Sequence, residues 1–161
     1  MNISVPEKSS YKFDWPSFVD KKLRNCIDMN VQLELSKNVT NYAFFIDNRP
    51  IPYIDVIIKN MMLHLGTDWG LCLYIDPSNE DYYKKIAEDH FINPDQIVWI
   101  INDLSNFNAI EYSTLFMDIS FWEALPGERI LIFHADSWML KSLVSVLFKF
   151  PSVSLAKIKI V

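Results

Sequence analysis

Four short apolar runs, each ending on an acidic residue or an Asn-Asp pair, constrain this chain more than any other feature. They are Ala43-Phe44-Phe45-Ile46 before Asp47, and Leu71-Cys72-Leu73-Tyr74-Ile75 before Asp76. Then come Ile97-Val98-Trp99-Ile100-Ile101 before Asn102-Asp103, and Ile130-Leu131-Ile132-Phe133-His134-Ala135 before Asp136. Runs of this length without polar alternation suit strands buried on both faces, as in a parallel sheet. Parallel strands would place all four polar tips on one edge, where open α/β sheets bind ligands.

The segments between the runs supply the helices that parallel strands require. Ile54, Ile57, Ile58, Met61, Met62 and Leu65 recur at helical spacing, with Pro52 in the first turn and Gly66 as the stop. Tyr83, Ile86, Ala87 and His90 mark a second helix, with Ser78 or Asn79 as its cap. Ala109, Tyr112, Phe116 and Ile119 form a rougher stripe within a segment that Pro126-Gly127 closes. Leu140, Leu143, Val144, Leu147 and Phe148 suggest a last helix before Pro151. The alternating tail Ala156-Lys157-Ile158-Lys159-Ile160-Val161 suggests a lysine-protected edge strand. Strand and helix in alternation, joined by right-handed crossovers, predict an α/β fold: a three-layer Rossmann-like sandwich around a mostly parallel sheet. Residues 1–38 read as a lead-in to an α/β domain over 39–161. Trp15-Pro16-Ser17-Phe18 begins a short helix there, and Val31, Leu33 and Leu35 hint at a strand.

Composition excludes several classes. Net charge is −5, which argues against nucleic acid as a partner, because phosphate backbones need a basic face. Three glycines in all, Gly66, Gly70 and Gly127, leave no Walker loop and no dinucleotide fingerprint after the first strand. Cys26 and Cys72 are too few and too far apart for a disulfide framework or a zinc site. With no apolar leader and no stretch long enough to span a bilayer, the expected setting is reducing and cytoplasmic.

The strand tips supply the candidate chemistry. Asp136 can hold a divalent cation through oxygen, and the cation can clamp a diphosphate; the alternative is a helix cap made by Asp136 or Ser137. His134, two residues earlier on the same strand face, could share that site or pack as a structural histidine. Arg49 can pair with a phosphate or carboxylate, or with Asp47 or Asp55. Asn102 and Asp103 can contact a base or ribose, or close a turn.

In order and spacing, these pieces resemble a family of largely uncharacterised proteins with a glycosyltransferase-like core of the GT-A type. The matching residues are Asp47-Asn48-Arg49-Pro50, Asn60, Leu65-Gly66 and Trp69, then Tyr112 with Leu115-Phe116. Phe121-Trp122-Glu123, Gly127-Glu128 and Leu131-Ile132-Phe133-His134-Ala135-Asp136-Ser137 complete the set, which covers residues 43–142. The resemblance implies a nucleotide-sugar-binding sheet, with Arg49 near the nucleotide and the block His134 to Asp136 near the diphosphate; joined to the strand-end reading, it makes Arg49, Asn102, Asp103, Asp136 and Ser137 the expected donor site. It implies Mn²⁺ or Mg²⁺ on Asp136 with His134, and sugar transfer to a glycan, lipid or protein acceptor. The chain departs from the family in two places. The family's block reads Phe-Gln-Thr-Asp where this chain has Phe133-His134-Ala135-Asp136, and no Asp-x-Asp pair is present. The family also continues into a Gly-Ala-Pro-Trp stretch where this chain has Phe148-Lys149-Phe150-Pro151-Ser152. The reading is therefore a C-terminally shortened glycosyltransferase-like domain. Its alternative is a non-catalytic remnant acting as a binding or regulatory domain.

Overall fold

The computed structural model describes residues 13–140. Its elements in chain order are α1 (Trp15–Phe18), β1 (Asn41–Asp47), α2 (Ile54–Leu65), β2 (Trp69–Ile75) and α3 (Glu80–His90). They continue with β3 (Val98–Ile101), α4 (Ala109–Met117), α5 (Ile119–Ala124) and β4 (Arg129–Phe133). Each apolar run has become a strand. The expected last helix beyond Leu140 and the alternating tail lie outside the described residues.

The four strands form one all-parallel sheet in the order β3-β2-β1-β4. The strand alternation sends neighbouring side chains to opposite faces. Ala43 and Phe45 of β1 join Leu71, Leu73, Ile75 and Phe133 in a core shared with α2 and α3. Phe44 and Ile46 join Cys72 and Tyr74 in a second core, against which Phe116, Phe121 and Trp122 pack from α4 and α5. Two helical layers around a parallel sheet make this the three-layer Rossmann-like α/β sandwich expected.

The first core is mainly aliphatic, with Phe45, Tyr83, Phe91 and Phe133 among its buried residues, and the second is richer in aromatic rings. Phe44 sits edge-on to Phe116 and Phe121, with centroids 6.4 and 5.8 Å away. Cys72 is a packing residue here, its thiol pushed up to about 12 by burial. In α2 the burial runs almost all round: beside the expected stripe, Val56, Lys59 and Asn60 are buried too. Six large apolar residues on one helix contribute on the order of 10 kcal/mol before chain entropy is subtracted. What covers the far side of α2 includes the lead-in, since Lys59 Nζ donates to the carbonyl of Val31. Val19 and Leu35 enter the same core, so described residues from 13 to 38 pack onto the sandwich. The strand hinted at Val31 to Leu35 is a single bridge, Leu33 to Phe91.

Two local expectations changed. The stripe from Ala109 to Ile119 is broken at Asp118, whose carboxylate accepts from the Ser120 amide at 2.9 Å and starts α5 afresh. Ile119 consequently faces solvent. The residue capping the turn ahead of α3 is Asp76, which accepts from the Ser78 amide at 2.9 Å. Gly66 ends α2 as expected, at a positive φ of 78° that suits glycine. No helix among the described residues is long and apolar enough to cross a membrane.

Candidate functional site

The strand order creates one special place on the carboxyl edge. From β1 the chain steps outward to β2 and β3, then returns to the opposite side of β1 as β4. Loops leaving β1 and β4 therefore part from one another, which is the topological switch point of an open α/β sheet. A cleft of about 590 Å³ lies there. Its floor is Ile46 to Arg49, at and just past the end of β1, and its wall is formed by Phe107 to Ala109 with Tyr112 and Ser113 of α4, together with His134 after β4. The volume is ordinary for a small-molecule site.

The loop after β1 is held by polar groups that a sequence pattern does not single out. Asn48 Nδ2 donates to the carbonyls of Leu104 and Phe107, at 3.2 and 3.3 Å, and so ties the β3–α4 connection to the cleft floor. The carbonyl of Asn48 accepts from Asn79 Nδ2 at 3.0 Å, and that of Arg49 accepts from the buried Tyr83 hydroxyl at 2.9 Å. Asp76 adds a third tie, accepting from the Leu104 amide at 2.8 Å. Hydrogen bonds from the Ser78 hydroxyl and amide hold its carboxyl below the ordinary carboxylate range. The signal for Asn48 was its place between Asp47 and Arg49, in a turn-forming Asp-Asn-Arg-Pro stretch.

Arg49 lines the cleft, paired with Asp47. Its Nε and Nη2 donate to the two oxygens of that carboxylate, both at 3.0 Å. The pairing raises the guanidinium further above its usual range. Asp55, the other partner considered, takes Arg24 instead, at 2.6 Å.

His134 lines the cleft beside Tyr112. Its Nε2 lies 3.1 Å from the Tyr112 hydroxyl, with the ring centroids 5.6 Å apart. Burial pushes the Tyr112 hydroxyl up, so at neutral pH it stays a phenol and can donate to Nε2. Strand geometry ends at Phe133, and residues 134–137 form a turn. Ser137 closes it, its hydroxyl accepting from the His134 amide at 2.9 Å while its own amide donates to the His134 carbonyl at 3.0 Å. Ser137 thus shapes the turn rather than capping a helix within the described residues. Asp136 is exposed at the tip of this turn, beyond the cleft lining, and its charge helps to keep the half-buried Tyr53 hydroxyl protonated.

Asn102 and Asp103 stand at the tip of β3, outside the cleft lining and separated from β1 by β2. Asn102 Nδ2 donates to the Tyr74 hydroxyl at 2.9 Å, and its Oδ1 accepts from the Asp103 amide at 3.0 Å. Asp103 accepts from the Ser105 amide at 2.9 Å, and hydrogen bonds from Ser105 hold its carboxyl low. All five expected residues and His134 thus sit at the carboxyl edge, but the cleft lining takes only Arg49 and His134.

Among the described residues no group of three or more His, Cys, Asp or Glu side chains is placed to hold a metal ion. His134 is engaged by Tyr112, which leaves Asp136 as the carboxylate of its turn, exposed and without a hydrogen bond among the described residues. That set fits a cation carried in by a diphosphate, since Mg²⁺ is often held by one or two carboxylates plus the ligand's own phosphates. No protein-family model, curated protein or solved structure matches the chain.

Proposed function

We propose that this domain binds a nucleoside-diphosphate sugar in the cleft between the tips of β1 and β4. The supporting observation is that cleft itself, about 590 Å³ at the switch point, with a guanidinium on its floor and Phe107 and Tyr112 in its wall. In this reading Phe107 and Tyr112 offer a face to the base, and Arg49 offers a bidentate donor to a phosphate. Asp136 holds Mn²⁺ or Mg²⁺ carried by the diphosphate, His134 joins it once its Nε2 leaves Tyr112, and Ser137 in the same turn contacts the donor. Asn102 and Asp103 reach only a ligand long enough to extend along the strand tips. Transfer of the sugar to a glycan, lipid or protein acceptor, in a cytoplasmic setting, is the reaction that the family resemblance adds.

Calorimetric titration with uridine- and guanosine-diphosphate sugars, with and without Mn²⁺ or Mg²⁺, tests the proposal. Saturable binding that Arg49→Met weakens supports it. A folded sample that binds none of them removes it.

One observation favours the non-catalytic alternative. Among the described residues Asp47 is the one carboxylate lining the cleft, and Arg49 occupies both its oxygens. A binding or regulatory domain needs no free general base, whereas transfer to a hydroxyl commonly uses one. Product release from a bound donor, followed over many turnovers, separates the readings. Binding without turnover is the outcome for the alternative.

A further inference from the structure

Among the described residues, Asp47 and Arg49 are the formally charged side chains that line the cleft, and they cancel. Asp47 is positioned by two roles at once. Its Oδ1 accepts from the Arg49 backbone amide at 3.0 Å, while both oxygens meet the guanidinium fork. That fork-to-fork geometry is the one arginine uses for an external carboxylate or phosphate. The two ends differ in their access to water. The Arg49 side chain is 71% exposed and that of Asp47 only 13%. The arginine can therefore swing toward a ligand while the aspartate stays.

We infer that Asp47 is an internal stand-in for the ligand's anionic group, so that any anion binding in the cleft must first take Arg49 from it. The inference rests on the cleft being a phosphate-binding site. Asp47 then sets selectivity, handicapping a simple anion relative to one whose other contacts offset the exchange. The ion pair also keeps the ligand-free cleft electrically neutral.

Asp47→Asn isolates the charge, because the amide oxygen can still accept from the Arg49 backbone amide. The experiment titrates inorganic pyrophosphate and uridine diphosphate into the wild-type chain, Asp47→Asn, and Asp47→Asn with Arg49→Met. Asp47→Asn is expected to tighten pyrophosphate binding roughly three- to fivefold, the scale of an exposed ion pair. The gain shrinks at high salt and disappears in the double variant. The Arg49 Nε–H nuclear magnetic resonance signal gives a second readout. It should exchange slowly in the wild type, quickly in Asp47→Asn, and shift when pyrophosphate is added to the wild type. If the wild type binds and Asp47→Asn, folded with an unchanged melting temperature, binds no tighter, the stand-in role is wrong while the binding site survives. If neither protein binds either anion, both readings fall.

Discussion

Replacing Asn48 tests how the cleft is assembled. In Asn48→Ala the two hydrogen bonds from Nδ2 to the Leu104 and Phe107 carbonyls vanish, while the bond from Asn79 to the residue-48 carbonyl remains. Net contributions of such bonds are about 0.5–1.5 kcal/mol each, and at 3.2 and 3.3 Å these lie in the lower half of that range. The loss is therefore about 1.5 kcal/mol, which lowers the melting temperature of a chain this size by about 3–6 °C. Asn48→Asp sharpens the test. The side chain keeps its shape but loses both donors, and its charge faces two carbonyl oxygens. It should cost on the order of 1 kcal/mol more than alanine does. Urea denaturation of the three proteins, read by tryptophan fluorescence, orders them as wild type, then Asn48→Ala, then Asn48→Asp. An aspartate variant as stable as the alanine one would refute the claim that Asn48 works as a donor to the β3–α4 connection.

Two further expectations concern buried polar groups, one behind the turn after β4 and one at the end of α3. Asn60 is buried and bonds the backbone of Met139 twice, at 2.8 and 3.1 Å, so Asn60→Ala should cost about 2–4 kcal/mol. Hydrogen exchange should speed up across residues 134–139, and unchanged exchange there would reject the anchor. His90 gives a pH dependence. Its Nδ1 is buried without a hydrogen-bond partner among the described residues, and its Nε2 lies 3.8 Å from Asp55, with Lys59, Asp89 and Arg24 also acting on it. Burial, and then Lys59, pull its pKa below 6.5. The unfolded chain then takes the proton first. The stability from a neutral His90 is complete above about pH 6.5 and is lost as pH falls toward the folded value. Melting temperature against pH should flatten on the acid side in His90→Phe, and an unaltered slope would show that other groups set it.

The fold was legible where one physical rule acted alone. Unbroken apolar runs meant strands covered on both faces, and the positive φ at Gly66 closed the helix where the glycine suggested. Reading failed where two rules competed. Ala109, Tyr112, Phe116 and Ile119 keep helical spacing, yet an aspartate at position 118 can cap a new helix, and here that local bond won. The stripe of α2 disclosed one buried face but not Lys59 and Asn60, which are buried because other parts of the chain fold over them. The site was legible as an edge and not as a cleft. Strand tips can be counted from a sequence, but their lateral order cannot. With β3 at the far side of the sheet, Asn102 and Asp103 share an edge with Arg49 without sharing its cavity.

The lateral order also explains why residues outside the sheet matter to the site. A switch point separates two loops, and each must then be fixed by something other than its neighbour strand. For the β1 loop the fixings are Asn79, Tyr83, the Asp47–Arg49 pair and the Asn48 bonds to the β3–α4 connection, all from adjoining segments. For the turn after β4 they come from farther away. Trp15 Nε1 donates to the Ala135 carbonyl at 2.9 Å across 120 residues, and Asn60 grips Met139 across 79. The wall bearing His134 is thus held by the lead-in segment and α2. A sequence division at residue 38 cuts through this support, because Val19, Leu35 and the indole of Trp15 belong to the same packed unit as β1. Whatever enters the cleft meets a floor fixed by the helices and connections beside β1 and a wall fixed partly by the lead-in and α2. Loosening the long-range bonds should widen the cleft before it unfolds the sheet.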